Sequence, residues 1–167
     1  MGKWTTFGLL LTTALIGVLV ASLVPAASQG GGGRFVICEK NGRHDYEQDV
    51  DNDDSGDFSA GDTVLFSEPE YDSNGDRIGK SAGTATLVRM DGGFETAIVQ
   101  LHVSLNLKGG RLEVQGAIKG VNFGKKPDYA VIGGTGRFAG AGGSVTVDER
   151  AGCGGFPKAD KLTFELQ

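Results

Sequence analysis

Three sets of residues in this chain have types and spacings suited to chemistry. The first is an acidic stretch, Asp49-Val50-Asp51-Asn52-Asp53-Asp54-Ser55-Gly56-Asp57-Phe58-Ser59-Ala60-Gly61-Asp62. Counted from Asp51, the oxygen-bearing residues Asp53, Ser55, Asp57 and Asp62 fall at positions three, five, seven and twelve, with Gly56 at six. That spacing approximates an EF-hand loop, in which alternate side chains turn toward calcium and a glycine makes the sharp bend. The twelfth residue is Asp rather than the longer Glu, and no amphipathic helix flanks the loop. Seven carboxylates between Asp45 and Asp57 repel one another, and a hard cation would relieve that repulsion. The competing reading is a solvated acidic loop.

The second set is carboxylates beside apolar strands. Glu39 ends the run Arg34-Phe35-Val36-Ile37-Cys38-Glu39. By the two-residue period of a strand it shares a face with Phe35 and Ile37, opposite Val36 and Cys38. Both faces are apolar, so the pattern leaves its direction open. Pointing inward, it would be desolvated and suited to acid–base work; pointing outward, it is a surface charge. Glu68-Pro69-Glu70 follows the apolar Val64–Phe66 and suits either a barrel mouth or the start of a turn. The third set is scattered. His102 shares a strand face with Gln100 and Ser104, as a ligand contact or a surface histidine. Tyr71 and Tyr129 flank turns, as pocket rims or core edges. No ordered Ser/His/Asp set is present. Gly134-Thr135-Gly136 lacks both the glycine spacing and the βαβ setting of a nucleotide loop. It suits a tight bend that lets Phe138 plug one end of a core.

The elements that must position these residues are strands. Runs at 34–39, 63–67, 78–90, 95–107, 111–118, 129–132, 143–147 and 162–166 are separated mostly by hairpin-length turns, among them Asn74-Gly75, Asp91-Gly92-Gly93 and Lys108-Gly109-Gly110. Residues 42–62 are expected to be a long loop. After the N-terminal segment no helical period is sustained. The 29 glycines follow no three-residue repeat, which excludes collagen and favours a sheet with tight turns. The pattern predicts an all-β fold, an eight-stranded antiparallel up-and-down, calycin-like β-barrel. Closure would remove exposed sheet edges. A sandwich is the structural alternative.

Composition and the ends set further bounds. Sixteen basic against 21 acidic residues, with no basic patch among aromatics, argue against nucleic acid as a partner. Lys3, an apolar run from Phe7 to about Val24, and small residues through Ala27 have the layout of a secretory signal. The expected organisation is a signal at 1–27, a glycine-rich joint at 28–33 and one barrel domain at 34–167. The mature chain is then secreted, with no stable membrane association after cleavage. An uncleaved membrane anchor is the alternative. Cys38 and Cys153 form an even pair in a compartment that permits disulfides, as one bridge or as two buried thiols.

Phe66–Gly83 (FSEPEYDSNGDRIGKSAG), Leu112–Gly116 (LEVQG) and Ala130–Gly143 (AVIGGTGRFAGAGG) together resemble the allene oxide cyclase and dirigent superfamily of eight-stranded barrels. The resemblance covers roughly residues 34–167. It implies a ligand-sized cavity, chemistry on an apolar small molecule by ring closure or by orienting radicals, and a homo-oligomer, commonly a trimer in plant members. Glu39 and Asn41 match the family's Glu-x-Asn at the end of the first strand. Glu68 stands where the cyclases carry Asn, Ala85 where they carry Cys, and Ile118 where they carry Tyr; their proline after the first strand has no counterpart. In the dirigent pattern, Ser67-Glu68-Pro69 is similar to an Asp-Asp-Pro element. The site expected from the residues and the resemblance together is Glu39 and Glu68 as catalytic carboxylates, with Asn41, Tyr71 and His102 as ligand contacts. No cofactor is implied other than the calcium loop. A non-enzymatic barrel with a solid core is the other function class.

Overall fold

The computed structural model describes residues 33–40, 45–122 and 124–167. The signal expected at 1–27, the joint expected at 28–33 apart from Gly33, and Asn41 lie outside the described residues. Among the described residues nine strands form the fold: β1 (Arg34–Glu39), β2 (Tyr46–Val50), β3 (Thr63–Tyr71), β4 (Arg77–Arg89), β5 (Ile98–Leu107), β6 (Gly110–Lys119), β7 (Asp128–Gly136), β8 (Gly143–Asp148) and β9 (Asp160–Leu166). All pair antiparallel, in the order β1-β9-β8-β7-β6-β5-β4-β3-β2, and a second pairing of β1 with β3 closes the ring. The result is a closed eight-stranded antiparallel barrel with one extra strand. The tightest connection, Lys108-Gly109 between β5 and β6, is a two-residue hairpin that can join only antiparallel neighbours, and the longer connections continue the same up-and-down order.

The extra strand, β2, falls where a loop is expected. It pairs with β3 from Tyr46↔Ser67 to Val50↔Thr63. Its five residues are all exposed and lack an apolar alternation, so nothing in the pattern marks them as strand. The β3 strand also runs past the expected end at Ser67, through Glu68-Pro69-Glu70 to Tyr71. Pro69 is tolerated because of where its nitrogen points. The Ser67 carbonyl accepts from Asp45 on the β2 side. Two residues on, the Pro69 nitrogen faces the same side, at the break between β1 and β2, where no ladder donor is needed.

One set of alternate residues from each strand fills the interior. Ile37, Val103, Leu105, Leu112, Val145 and Phe164 belong to the buried cluster. Phe35 stacks on Phe164 with centroids 4.8 Å apart, and on Phe138 at 6.0 Å. Phe138 reaches this stack because β7 runs through Gly133–Gly136 and then turns sharply. At Gly136 φ is +61°, and a Cβ would lie 2.2 Å from the Gly109 carbonyl oxygen, so only glycine fits.

Candidate functional site

The closure of the barrel is asymmetric. Only Cys38↔Tyr71 and Glu39↔Glu70 join β1 to β3. Outside this seam, Cys38 forms a disulfide with Cys153, Cα atoms 5.4 Å apart. The bridge holds the 149–159 connection over the seam, where the Tyr71 and Phe156 rings meet edge-on at 5.1 Å. Alternation then sends Glu39 and Glu70 inward, and the outward cysteine explains why both faces of β1 look apolar in sequence.

The interior is not packed solid. A cavity of about 270 Å³ is lined by Glu39 and Glu68 on the seam strands, by Glu47 on β2, and by aliphatic and aromatic side chains elsewhere. Val64, Phe66, Leu101, Val103, Tyr129, Val147 and Phe164 contribute most directly to the apolar wall. Glycine helps to make the space: at Gly83, opposite Phe66 on β4, a Cβ would lie 2.7 Å from the Phe66 ring. Burial, with a smaller contribution from Glu149, pushes the Tyr129 phenol up to about 12, so it faces the cavity as a neutral hydroxyl.

The seam carboxylates crowd one another. Glu39 lies opposite Glu70 on β3 and opposite Asp160 on β9, so three acids stand in one row across three strands. Burial pushes the Glu39 carboxyl well above the usual range, and Glu70, Glu68 and Asp160 push it further. The half-exposure of Glu39 is to the cavity that it lines. Glu70 is completely buried. Burial raises its carboxyl to about 7, tempered by the neighbouring Ser81 and Glu39 side chains. That proximity does not give aligned bonds: neither Glu70 oxygen nor Ser81 Oγ has a hydrogen-bond partner in good geometry.

The other expected site residues are dispersed. His102 lies on the outer face of β5, exposed, with Nε2 3.7 Å from Glu113. It does not line the cavity, because its strand register sends Leu101 and Val103 inward instead. Tyr71 packs on Phe156 outside the seam, also away from the cavity. In the acidic loop, Asp51, Asp53 and Asp62 bring carboxylate oxygens within 4.8 Å of one another. Asp51 accepts from the Asp53, Ser55 and Gly56 amides, and Asp62 accepts from the Asn52 and Ser59 amides. Asp57 is not in this trio, and the Ser55 hydroxyl donates to the Asp57 carbonyl. Site features that the sequence reading did not single out are Glu47, Asp160 and the pairing of Glu70 with Glu39. Inward alternation along β3 was the available signal for Glu70; the registers across the seam have none.

The profile of the family described as "Allene oxide cyclase barrel like domain" matches residues 44–150. No curated protein matches the chain by sequence. Solved structures share the fold. A pyocyanin demethylase is 19% identical, with a TM-score of 0.65, over 81% of this chain and 100% of that one. The pterocarpan synthase dirigent protein PsPTS1 is 14% identical, with a TM-score of 0.57, over 83% and 94%. AbnU, an exo-specific intermolecular Diels-Alderase, is 15% identical, with a TM-score of 0.58, over 82% and 98%.

Proposed function

We propose that this chain, which belongs to the allene oxide cyclase barrel like family, binds a small apolar molecule inside its barrel and guides its cyclisation or coupling. The observation that carries the reading is the cavity itself: apolar on most sides, with Glu39 and Glu68 on the seam wall. A pocket of this kind fixes a ligand by shape and orients it with a few polar groups. Carboxylates there stabilise positive charge that develops as a ring closes or a bond forms. The names of the structural neighbours, a demethylase, a pterocarpan synthase dirigent protein and a Diels-Alderase, support a small-molecule role. Native mass spectrometry of the chain from its own host tests it. A stoichiometric small-molecule adduct that disappears when Val103→Trp fills the cavity is the expected result. A clean mass under gentle conditions, with no ligand in the solvent extract, favours a non-enzymatic barrel.

Export and assembly complete the proposal. Export rests on the sequence of residues 1–27 and is tested by the N-terminal residue of the secreted chain. A homo-oligomer rests on the family resemblance and is tested by mass in solution. A second reading, calcium at the acidic loop, is favoured by the convergence of Asp51, Asp53 and Asp62. It predicts a melting temperature raised by calcium in the wild type and unmoved by calcium in Asp51→Asn.

A further inference from the structure

We propose that Glu39 and Glu70 hold one proton in common across the β1–β3 seam and present it to the cavity as a single acid–base unit, Glu39 touching the ligand and Glu70 positioning it. The inference rests on the ligand-binding reading above for its substrate, and on the seam geometry for the pair.

Directly opposed residues of an antiparallel pair hold their Cβ atoms about 4.5–5.5 Å apart, and like charges there repel. Glu39 and Glu70 are such a pair. Glu70 is wholly buried, and both its oxygens lack a hydrogen-bond partner. A buried carboxylate without a donor is costly, and two ionised carboxylates in contact are costlier still. The groups facing the pair do not relieve this. They are Glu68 and Ser81 from β3 and β4, Asp160 from β9 and Glu47 from β2 along the same cavity. Lys40 follows Glu39 in sequence, yet its Nζ sits 4.6 Å from the centre of the Phe156 ring. One proton between the two carboxyls removes the repulsion and gives Glu70 its missing hydrogen bond. Both groups are shifted upward, first by burial; the charges of Glu70 and Glu68 add to the shift of Glu39, and the charge of Glu68 adds to that of Glu70.

The arrangement defines a substrate class. Three glutamates on the wall disfavour an anion, and the apolar remainder favours a neutral, largely hydrocarbon molecule. With one proton already shared, a second makes the pair neutral inside an apolar wall. Glu39 therefore takes a proton from an enolisable C–H or a phenolic O–H of the ligand as the pair's shared proton passes to another ligand atom, so the ligand stays neutral. The C–H or O–H bond breaks, a new one forms, and no electrons are exchanged with an outside partner.

The test is a carboxyl ¹³C NMR titration of the full chain, labelled at glutamate Cδ and assigned with Glu39→Gln and Glu70→Gln. Shared protonation predicts two wild-type resonances that each report both steps of the pair, with the last step displaced upward from the ordinary glutamate range. In Glu70→Gln the Glu39 curve becomes single-step and its midpoint falls by about one pH unit or more. Independent single-step curves in the wild type, midpoints of both groups below about pH 5, or an unmoved Glu39 in Glu70→Gln overturns the proposal. The wild-type curves decide even if a variant folds poorly. Failure of ligand binding is read separately, as a clean native mass with the coupled titration intact.

Discussion

The seam of the barrel and the wall across from it are built on opposite terms. Two register pairs join β1 to β3, whereas ten join β5 to β6, so the wall holds itself together through its ladder and the seam does not. The wall is lined inside by Leu101, Val103, Leu105, Leu112 and Val114, while the inner side of the seam carries Glu39, Glu68 and Glu70. Outside the seam a disulfide ties β1 to the 149–159 connection, whose Phe156 ring packs on Tyr71 of β3. A barrel can place mutually repelling carboxyls in its interior if the strands that bear them are held by something other than their own packing. Here the connection that the disulfide pins to β1, with Phe156 against Tyr71 of β3, fills that role on the opposite face.

The largest effect should come from removing the bridge. Cys38→Ser with Cys153→Ser frees a closed loop of more than a hundred residues, a loss of about 4–5 kcal/mol in the chain-entropy account. Amide exchange should then quicken at Cys38, Glu39, Glu70 and Tyr71 before it does along β5 and β6. A uniform acceleration around the barrel would remove the distinction between seam and wall.

Next come truncations of the wall. Leu112 is fully buried in the cluster, and Leu112→Ala should cost about 3 kcal/mol by denaturant unfolding. Leu101 already borders the open cavity, so Leu101→Ala should cost about half as much. Equal losses would mean that the cavity collapses around the leucine in solution.

Smaller than the loss at Leu112 is the dependence on pH. Both seam carboxyls have folded values raised above their unfolded ones, Glu70 to about 7. Below pH 4.5 or so both states hold these protons. As pH rises from there toward 7 and beyond, the unfolded chain releases them first, so stability falls. The wild type should be less stable at pH 8 than at pH 5 by on the order of 2 kcal/mol. Glu70→Gln should flatten much of that slope in denaturant titrations at fixed pH. A profile that rises through the same window would show that the carboxyls are ionised and paired in the folded state.

Much of the fold is legible in the sequence because period-two alternation and glycine turns are local signals. Ile98–Leu107 and Leu112–Gly116 show which residues face in, and Asn74-Gly75 and Lys108-Gly109 show where the chain reverses. The break between β1 and β2 is not legible. Tyr46–Val50 owes its strand state to the partner it finds on β3 rather than to its own residues. The site is legible only in part for the same reason. Alternation offers Glu39 and Glu68 as inward candidates, and places His102 on the face opposite Leu101 and Val103. It does not say which face is inside when both are apolar, as they are on β1.

The eight barrel strands, most of the turns and the family are readable along the chain, since each depends on contacts within a hairpin or on local motifs. The tertiary structure alone decided that residues 39, 70 and 160 stand in one row, and that Cys38 lies outside the seam whose inner side bears the acids. Those are statements about the register between strands distant in sequence. Such registers are set by closure of the whole barrel, and closure depends on every intervening strand at once.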